Sequence, residues 1–268
     1  MQLSFVAQRC TSCRACEVAC PSAVFSWKDG AIDLHHPGRC IGCGHCVAAC
    51  PADAFLHSEL AIEKFEPVGE EKPVAPEALR SLFRERRSGR RFLDEPLPRA
   101  EIESLIDQAR HAPTSTNSQN VRYLVFERPK GTGDLARWTA GHYEKLARNL
   151  ANPVTRCAIA LGVGWKTANA YRHRMPAIIE MFRETLAGED RLFHRAPVVI
   201  VAFASGLPHI AAASCCLSAM QLLLAAEVRG LSAFFNGYAL NALVRDRRMR
   251  EKAGIERGYV PGAVIAVG

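Results

Sequence analysis

The chain has 268 residues, enough for one large domain or two smaller ones, with 49% hydrophobic and 23% charged residues, which is ordinary for a globular protein and excludes disorder as its main state. The net charge of +7 suits an acidic protein partner or an anionic cofactor, but no zinc-finger or helix-turn-helix pattern accompanies it, so nucleic-acid binding is not expected. The opening MQLSFVAQRC lacks a basic stretch ahead of an apolar core, and the longest apolar candidate, Ile210–Val228, is broken by Ser214, Ser218, Gln221 and Glu227. Neither a secretory leader nor a membrane span is therefore expected.

Eight of the eleven cysteines fall in two copies of C-x2-C-x2-C-x3-C-P. The first is Cys10, Cys13, Cys16, Cys20 and Pro21; the second is Cys40, Cys43, Cys46, Cys50 and Pro51. Zinc sites usually pair one C-x2-C with a distant second pair, whereas three thiolates on one tight loop can wrap three corners of a cubane. In this pattern the fourth cysteine ligates the other cluster. Carried over, Cys10, Cys13, Cys16 and Cys50 hold one [4Fe–4S] cluster, and Cys40, Cys43, Cys46 and Cys20 the other. Small or apolar filler (Ile41, Gly42, Gly44, Val47, Ala48, Ala49) admits backbone N–H groups to the cluster and excludes water. His45 is read as a solvent-facing bystander, with tuning of the cluster potential as the other reading. Met1–Val68 resembles the bacterial two-cluster ferredoxins. Thiolate ligands imply a reducing, cytoplasmic setting.

Phe65–Pro76 (FEPVGEEKPVAP) has linker composition. The expected organisation is a cluster domain at 1–66, a linker at 67–76 and a second domain at 77–268. In the second domain, helices are expected at Glu77–Arg87, Pro98–His111, Asp134–Leu150, Ala168–Leu186, Pro208–Val228 and Asn241–Ala253. Strands are expected at Val121–Glu127, Ala196–Ala204, Leu231–Asn236 and Ala263–Val267. The continuous apolar run APVVIVAFA suits a strand buried on both faces. The layout is α+β. Cys157, Cys215 and Cys216 fit no cluster motif and are expected to be small buried residues.

No G-x-G-x-x-G is present, so no Rossmann fingerprint. A cationic run, Arg84-Glu85-Arg86-Arg87-Ser88-Gly89-Arg90-Arg91-Phe92, ends a helix with hydroxyl and backbone donors beside guanidinium forks that match phosphate oxygens. After the next helix comes Ala112-Pro113-Thr114-Ser115-Thr116-Asn117-Ser118-Gln119-Asn120, rich in hydroxyls and amides. The two stretches, with Ala196-Pro197 and Gly230-Leu231-Ser232, resemble the nitroreductase family of FMN flavoproteins, and the whole chain resembles its ferredoxin-containing branch.

That resemblance implies an N-terminal ferredoxin-type domain with two [4Fe–4S] clusters, followed by a nitroreductase-like α+β domain. It implies that Arg86, Arg87, Ser88 and Arg90 hold the FMN phosphate and ribityl chain. Pro113, Thr114, Ser115 and Asn117 would line the flavin from the partner subunit of a homodimer, and Phe235, Asn236 and Gly237 would follow the isoalloxazine edge. The chemistry resides at FMN N5 and needs no catalytic side chain. His194 and His111 are candidate proton donors. The sequence ends at Ala266-Val267-Gly268 without the basic residues that many relatives carry beyond the last strand, so either FMN is held more loosely or other arginines such as Arg245 or Arg247 substitute. Tyr171-Arg172-His173-Arg174 is either a solvated helix face or a site for an anionic substrate.

The activity implied is reduction of a small electron-poor molecule (a nitroaromatic, a quinone or a similar compound), with NAD(P)H, ferredoxin or flavodoxin as donor. The second reading is an electron carrier or adaptor whose second domain has lost FMN and serves for dimerisation.

Overall fold

A computed structural model describes residues 3–58, 60 and 73–268. Most of the expected linker, residues 67–72, lies outside the described residues. The chain divides into two compact units: residues 1–73 with 114–119, and residues 74–113 with 120–268.

In the first unit, strands β1 (Leu3–Phe5) and β4 (Phe55–His57) pair antiparallel, and β2 (Phe25–Lys28) and β3 (Ala31–Leu34) form a hairpin. The hairpin turns at Asp29-Gly30, both with positive φ, which is the Asp-Gly signature of a two-residue turn. Two short helices, α1 (Ala15–Ala19) and α2 (His45–Ala48), each follow a left-handed residue, Arg14 and Gly44. The two copies therefore share backbone as well as sequence. Phe55 packs against Phe5 and Phe25, with ring centroids 5.2 and 5.0 Å away, and Val24, Ile32 and Val47 complete a small core.

The second unit is built on a four-stranded antiparallel sheet in the order β5 (Val121–Glu127), β6 (Val198–Ser205), β8 (Tyr259–Val267), β7 (Ala233–Phe235). Alternation along β6 sends Val199, Val201 and Phe203 into one core and Val198, Ile200, Ala202 and Ala204 into the other. The apolar run is continuous because helices cover both faces. Helices α4 (Arg99–Arg110) and α8 (Pro208–Val228) cover one face. The other carries α5 (Lys130–Ala151), α7 (Trp165–Leu186), α9 (Gly237–Arg245) and α10 (Arg247–Ala253).

Helix α8 is long and apolar enough to cross a membrane, yet it lies along the sheet and α4. At Gly262 in β8 the approach is so close that a Cβ would stand 2.5 Å from Cys215 Cβ and 3.0 Å from Ala212 Cα.

Several expectations need correction. The expected helix 241–253 is two helices, because Asp246 leaves helical geometry and its carboxylate caps α10 by accepting from the N–H groups of Arg248 and Met249. Helix α6 (Pro153–Val163) was not anticipated; Asn152 caps it, with proline at its first position. Pro76, assigned to the linker, instead opens α3 (Pro76–Glu85). Of the three cysteines expected to be buried, only Cys215 is; Cys157 and Cys216 are exposed.

Candidate functional site

In each cysteine loop a short helical turn places the first thiol, with Cys10 N–H donating to Ala7 O and Cys40 N–H to Pro37 O. The left-handed residue before α1 or α2 then turns the chain so that the third cysteine, Cys16 or Cys46, faces inward. Burial pushes the Cys46 thiol up to about 11, and Cys40 and Cys43 add repulsion. Burial likewise raises Cys16, with Cys10 and Cys13 contributing. The three thiols of each loop are thus close enough to sense one another's charge. Cys20 shares a cavity with Cys40, Cys43 and Cys46, the same four expected to act together.

The fourth cysteines are held alike: Val24 N–H points to Cys20 Sγ at 3.4 Å, and Ala54 N–H to Cys50 Sγ at 3.3 Å. Donors of this kind stabilise a thiolate and raise the potential of a bound cluster. Among the described residues no three His, Cys, Asp or Glu side chains could hold a single metal ion. Ligands spread around a cubane are not expected to converge that tightly. His45 is exposed, in keeping with the bystander reading.

The segment 114–119 belongs to the same unit. Asn117 Nδ2 donates to the backbone oxygen of Cys43 at 2.8 Å, and Thr114 Oγ1 accepts from Gln119 N–H. Pro113 falls in the other unit and is exposed.

In the second unit, the arginine-rich segment leaves α3 and runs beside β7, where Gly89 N–H donates to Ala233 O at 3.1 Å. A Cβ on Gly89 would stand 2.8 Å from Ser232 Oγ and 3.2 Å from Ser232 Cα, so only glycine fits without displacement. Arg86 is half-buried at the end of α3, while Arg87 and Ser88 are exposed. Arg90 lies over the Phe234 ring at 5.1 Å.

Arg90 and Phe235-Asn236-Gly237 line one cavity of about 700 Å³. Asn236 is buried: its side-chain oxygen caps α9 through Ala239 N–H, and its Nδ2 donates to Leu192 O at 2.7 Å. Added to Gly237, a Cβ would meet only open space. His194 also lines the cavity, and burial and the neighbouring Arg90 hold its imidazole below the ordinary value, with Asp190 opposing. It is therefore neutral at pH 7. His111 is exposed at the end of α4.

A model of the nitroreductase family matches residues 83–268. The chain belongs to the nitroreductase family. Residues 9–55 match a 4Fe-4S dicluster domain. The protein is thus a nitroreductase-family α+β domain preceded by a ferredoxin-type domain.

Solved structures similar to this nitroreductase-family chain include an FMN-bound nitroreductase from Desulfitobacterium hafniense, at 22% identity and a TM-score of 0.48, covering 70% of this chain and 86% of that one. Another is an FMN-dependent nitroreductase from Mycobacterium smegmatis in complex with NADPH, at 20% identity and 0.47, covering 72% and 87%. A search of curated proteins gives no match.

Neither Arg245 nor Arg247 lines the Arg90 cavity. Arg247 pairs with Glu251 at 2.7 Å, and Arg245 donates to Asn241. The cations that do line it, besides Arg90, are Lys166 and Arg174 on α7, and Arg191. Of these, Arg174 was singled out from sequence. Lys166 and Arg191 carried no motif, and only the helical spacing from Lys166 to Arg174 could have found the first.

Proposed function

We propose that the chain is an FMN-dependent oxidoreductase in which two [4Fe–4S] clusters relay electrons to or from the flavin, reducing small electron-poor molecules such as nitroaromatics or quinones. The proposed domains are 1–66 for the clusters, 67–76 as linker and 77–268 for FMN. The proposed cluster ligands are Cys10, Cys13, Cys16 and Cys50, and Cys40, Cys43, Cys46 and Cys20.

The observation that carries the reading is the joining of Arg90 with Phe235-Asn236-Gly237 around one cavity with aromatic and cationic walls. Its residues fit FMN. Guanidinium groups suit the phosphate, and the open flank at Gly237 lets backbone approach a planar ring. Bound FMN supplies an N5 that exchanges electrons singly or as a hydride, which links cluster chemistry to two-electron substrates. Arg86, Arg87, Ser88 and Arg90 hold the phosphate end, and the Asn236 cap fixes the backbone of Phe235–Gly237 that faces the ring. Cys20 and Cys50, with a backbone donor on each sulfur, complete the two cluster sites across the loops.

The chain acts as a homodimer in the cytoplasm, with Pro113, Thr114, Ser115 and Asn117 offered to the partner's flavin. Supporting a dimer, Ile210, Leu217, Met220 and Val228 form an exposed apolar stripe at helical spacing on α8. The donor is NAD(P)H or a reduced ferredoxin or flavodoxin, whose acidic surface suits the +7 charge.

The test is the double substitution Arg86→Ala/Arg90→Ala. FMN per chain should fall at least tenfold while iron per chain stays unchanged. Full FMN occupancy in that variant would contradict the assignment.

A further inference from the structure

The geometry points to a substrate that carries an anionic group, a carboxylate on a planar electron-poor ring, held by Lys166 and Arg174. This rests on the flavin reading above and deepens it. Residues Lys166, Ala170, Arg174 and Ile178 recur every four positions on α7, and all four line the Arg90 cavity. The helix thus turns one continuous face to the cavity: a cation, a small residue, a second cation and a buried apolar foot. Facing it are the rings of Tyr143, Phe235 and Tyr238. Aromatic walls with convergent cations are the chemistry of an aromatic acid site.

Among the described residues, no Asp or Glu lines this cavity. Arg191 is paired with Glu184 at 3.2 Å, and Arg90 is engaged over Phe234. Neither Lys166 nor Arg174 has an ion-pair partner among the described residues, so both heads are available to a ligand. A solvated helix face would explain Arg172 and His173, which lie off this wall. It would not explain two unpaired cations on the one face that meets the cavity. The flavin phosphate has its own donors in Arg86, Arg87 and Ser88, so it does not require these two. An arginine fork and a lysine point charge can share one carboxylate, the fork giving direction and the lysine reach.

The test is equilibrium dialysis of the full-length protein as purified, with 4-nitrobenzoate and its uncharged methyl ester as probes and FMN and iron counted in every sample. The wild type should bind the acid about tenfold more tightly than the ester, and the preference should shrink as salt is raised. Lys166→Ala/Arg174→Ala should abolish the preference, leaving ester binding within about twofold and FMN content unchanged. Lys166→Arg should keep the preference. Equal binding of acid and ester by the wild type would overturn the proposal. So would loss of FMN in the double variant, which would assign the two cations to the cofactor. A wild type with no flavin that still prefers the acid would refute the flavin reading while upholding the anion site.

Discussion

Among the described residues, two of the seven side chains buried in the N-terminal core are cysteines, whereas the cores on either face of the C-terminal sheet are almost wholly aliphatic and aromatic. The first unit has strands of three or four residues and helices of four or five. So small a core suits a unit that draws part of its stability from the ligation proposed for it. The second has strands of up to nine residues and helices of up to 22, packed on both faces of one sheet. On the proposed reading, one unit is built around its site, and in the other a large sheet-and-helix scaffold carries it.

Breaking the first unit should give the largest effect. Cys46→Ala removes a buried thiol from the second loop and should cost the N-terminal unit most of its stability, roughly several kcal/mol. Calorimetry should show its transition lost and iron content reduced, with the transition of the C-terminal unit in place. A single transition that moves as a whole would mean the units are not independent.

The converse substitution lies in the sheet. Gly262→Val forces a side chain into α8 at Cys215 and Ala212, and should cost about 1–3 kcal/mol. Thermal unfolding would register this in the C-terminal transition alone, and the visible absorption of the iron–sulfur chromophore should not change.

A smaller effect is expected at Asn236, which both caps α9 and holds Leu192 O. Asn236→Ala should cost about 1–2 kcal/mol and loosen FMN, measured by denaturant unfolding and flavin titration. Asn236→Asp keeps the cap but sets a buried carboxylate oxygen against Leu192 O, so it should cost at least as much as alanine. The smallest effect is at His194. Its folded pKa lies below its ordinary 6.5, so the unfolded chain binds more protons in that window, and stability should decline as pH falls from neutral through 6.5. His194→Gln should flatten that slope in melting curves taken from pH 7.5 to 5.5.

The same contrast explains what could be read from sequence. The cluster unit was legible because ligation chemistry fixes residue type and spacing at once, and the repeat at Cys10–Cys20 and Cys40–Cys50 states both. In the second unit, β5 and α8 could be bounded residue for residue because one is a run rich in β-formers and the other a long apolar run, each flanked by turn residues or proline. The break at Asp246 was hidden because Arg245–Arg248 keeps helix-forming residues on either side of one capping carboxylate. Helix α6 was missed although Asn152-Pro153 is a start signal, since its exposed Leu161 and Val154 disguise the amphipathic pattern. Lys166 and Arg191 were invisible as site residues because tertiary packing, not local sequence, brings them to Arg90.

The most direct measurement is the number of FMN, iron and acid-labile sulfide per chain in anaerobically purified protein. Two cubanes and one flavin predict about one FMN with about eight irons and eight sulfides. Iron at that level with no flavin, and none taken up when FMN is added, would contradict the cluster–flavin enzyme and leave an electron carrier on a nitroreductase-family scaffold.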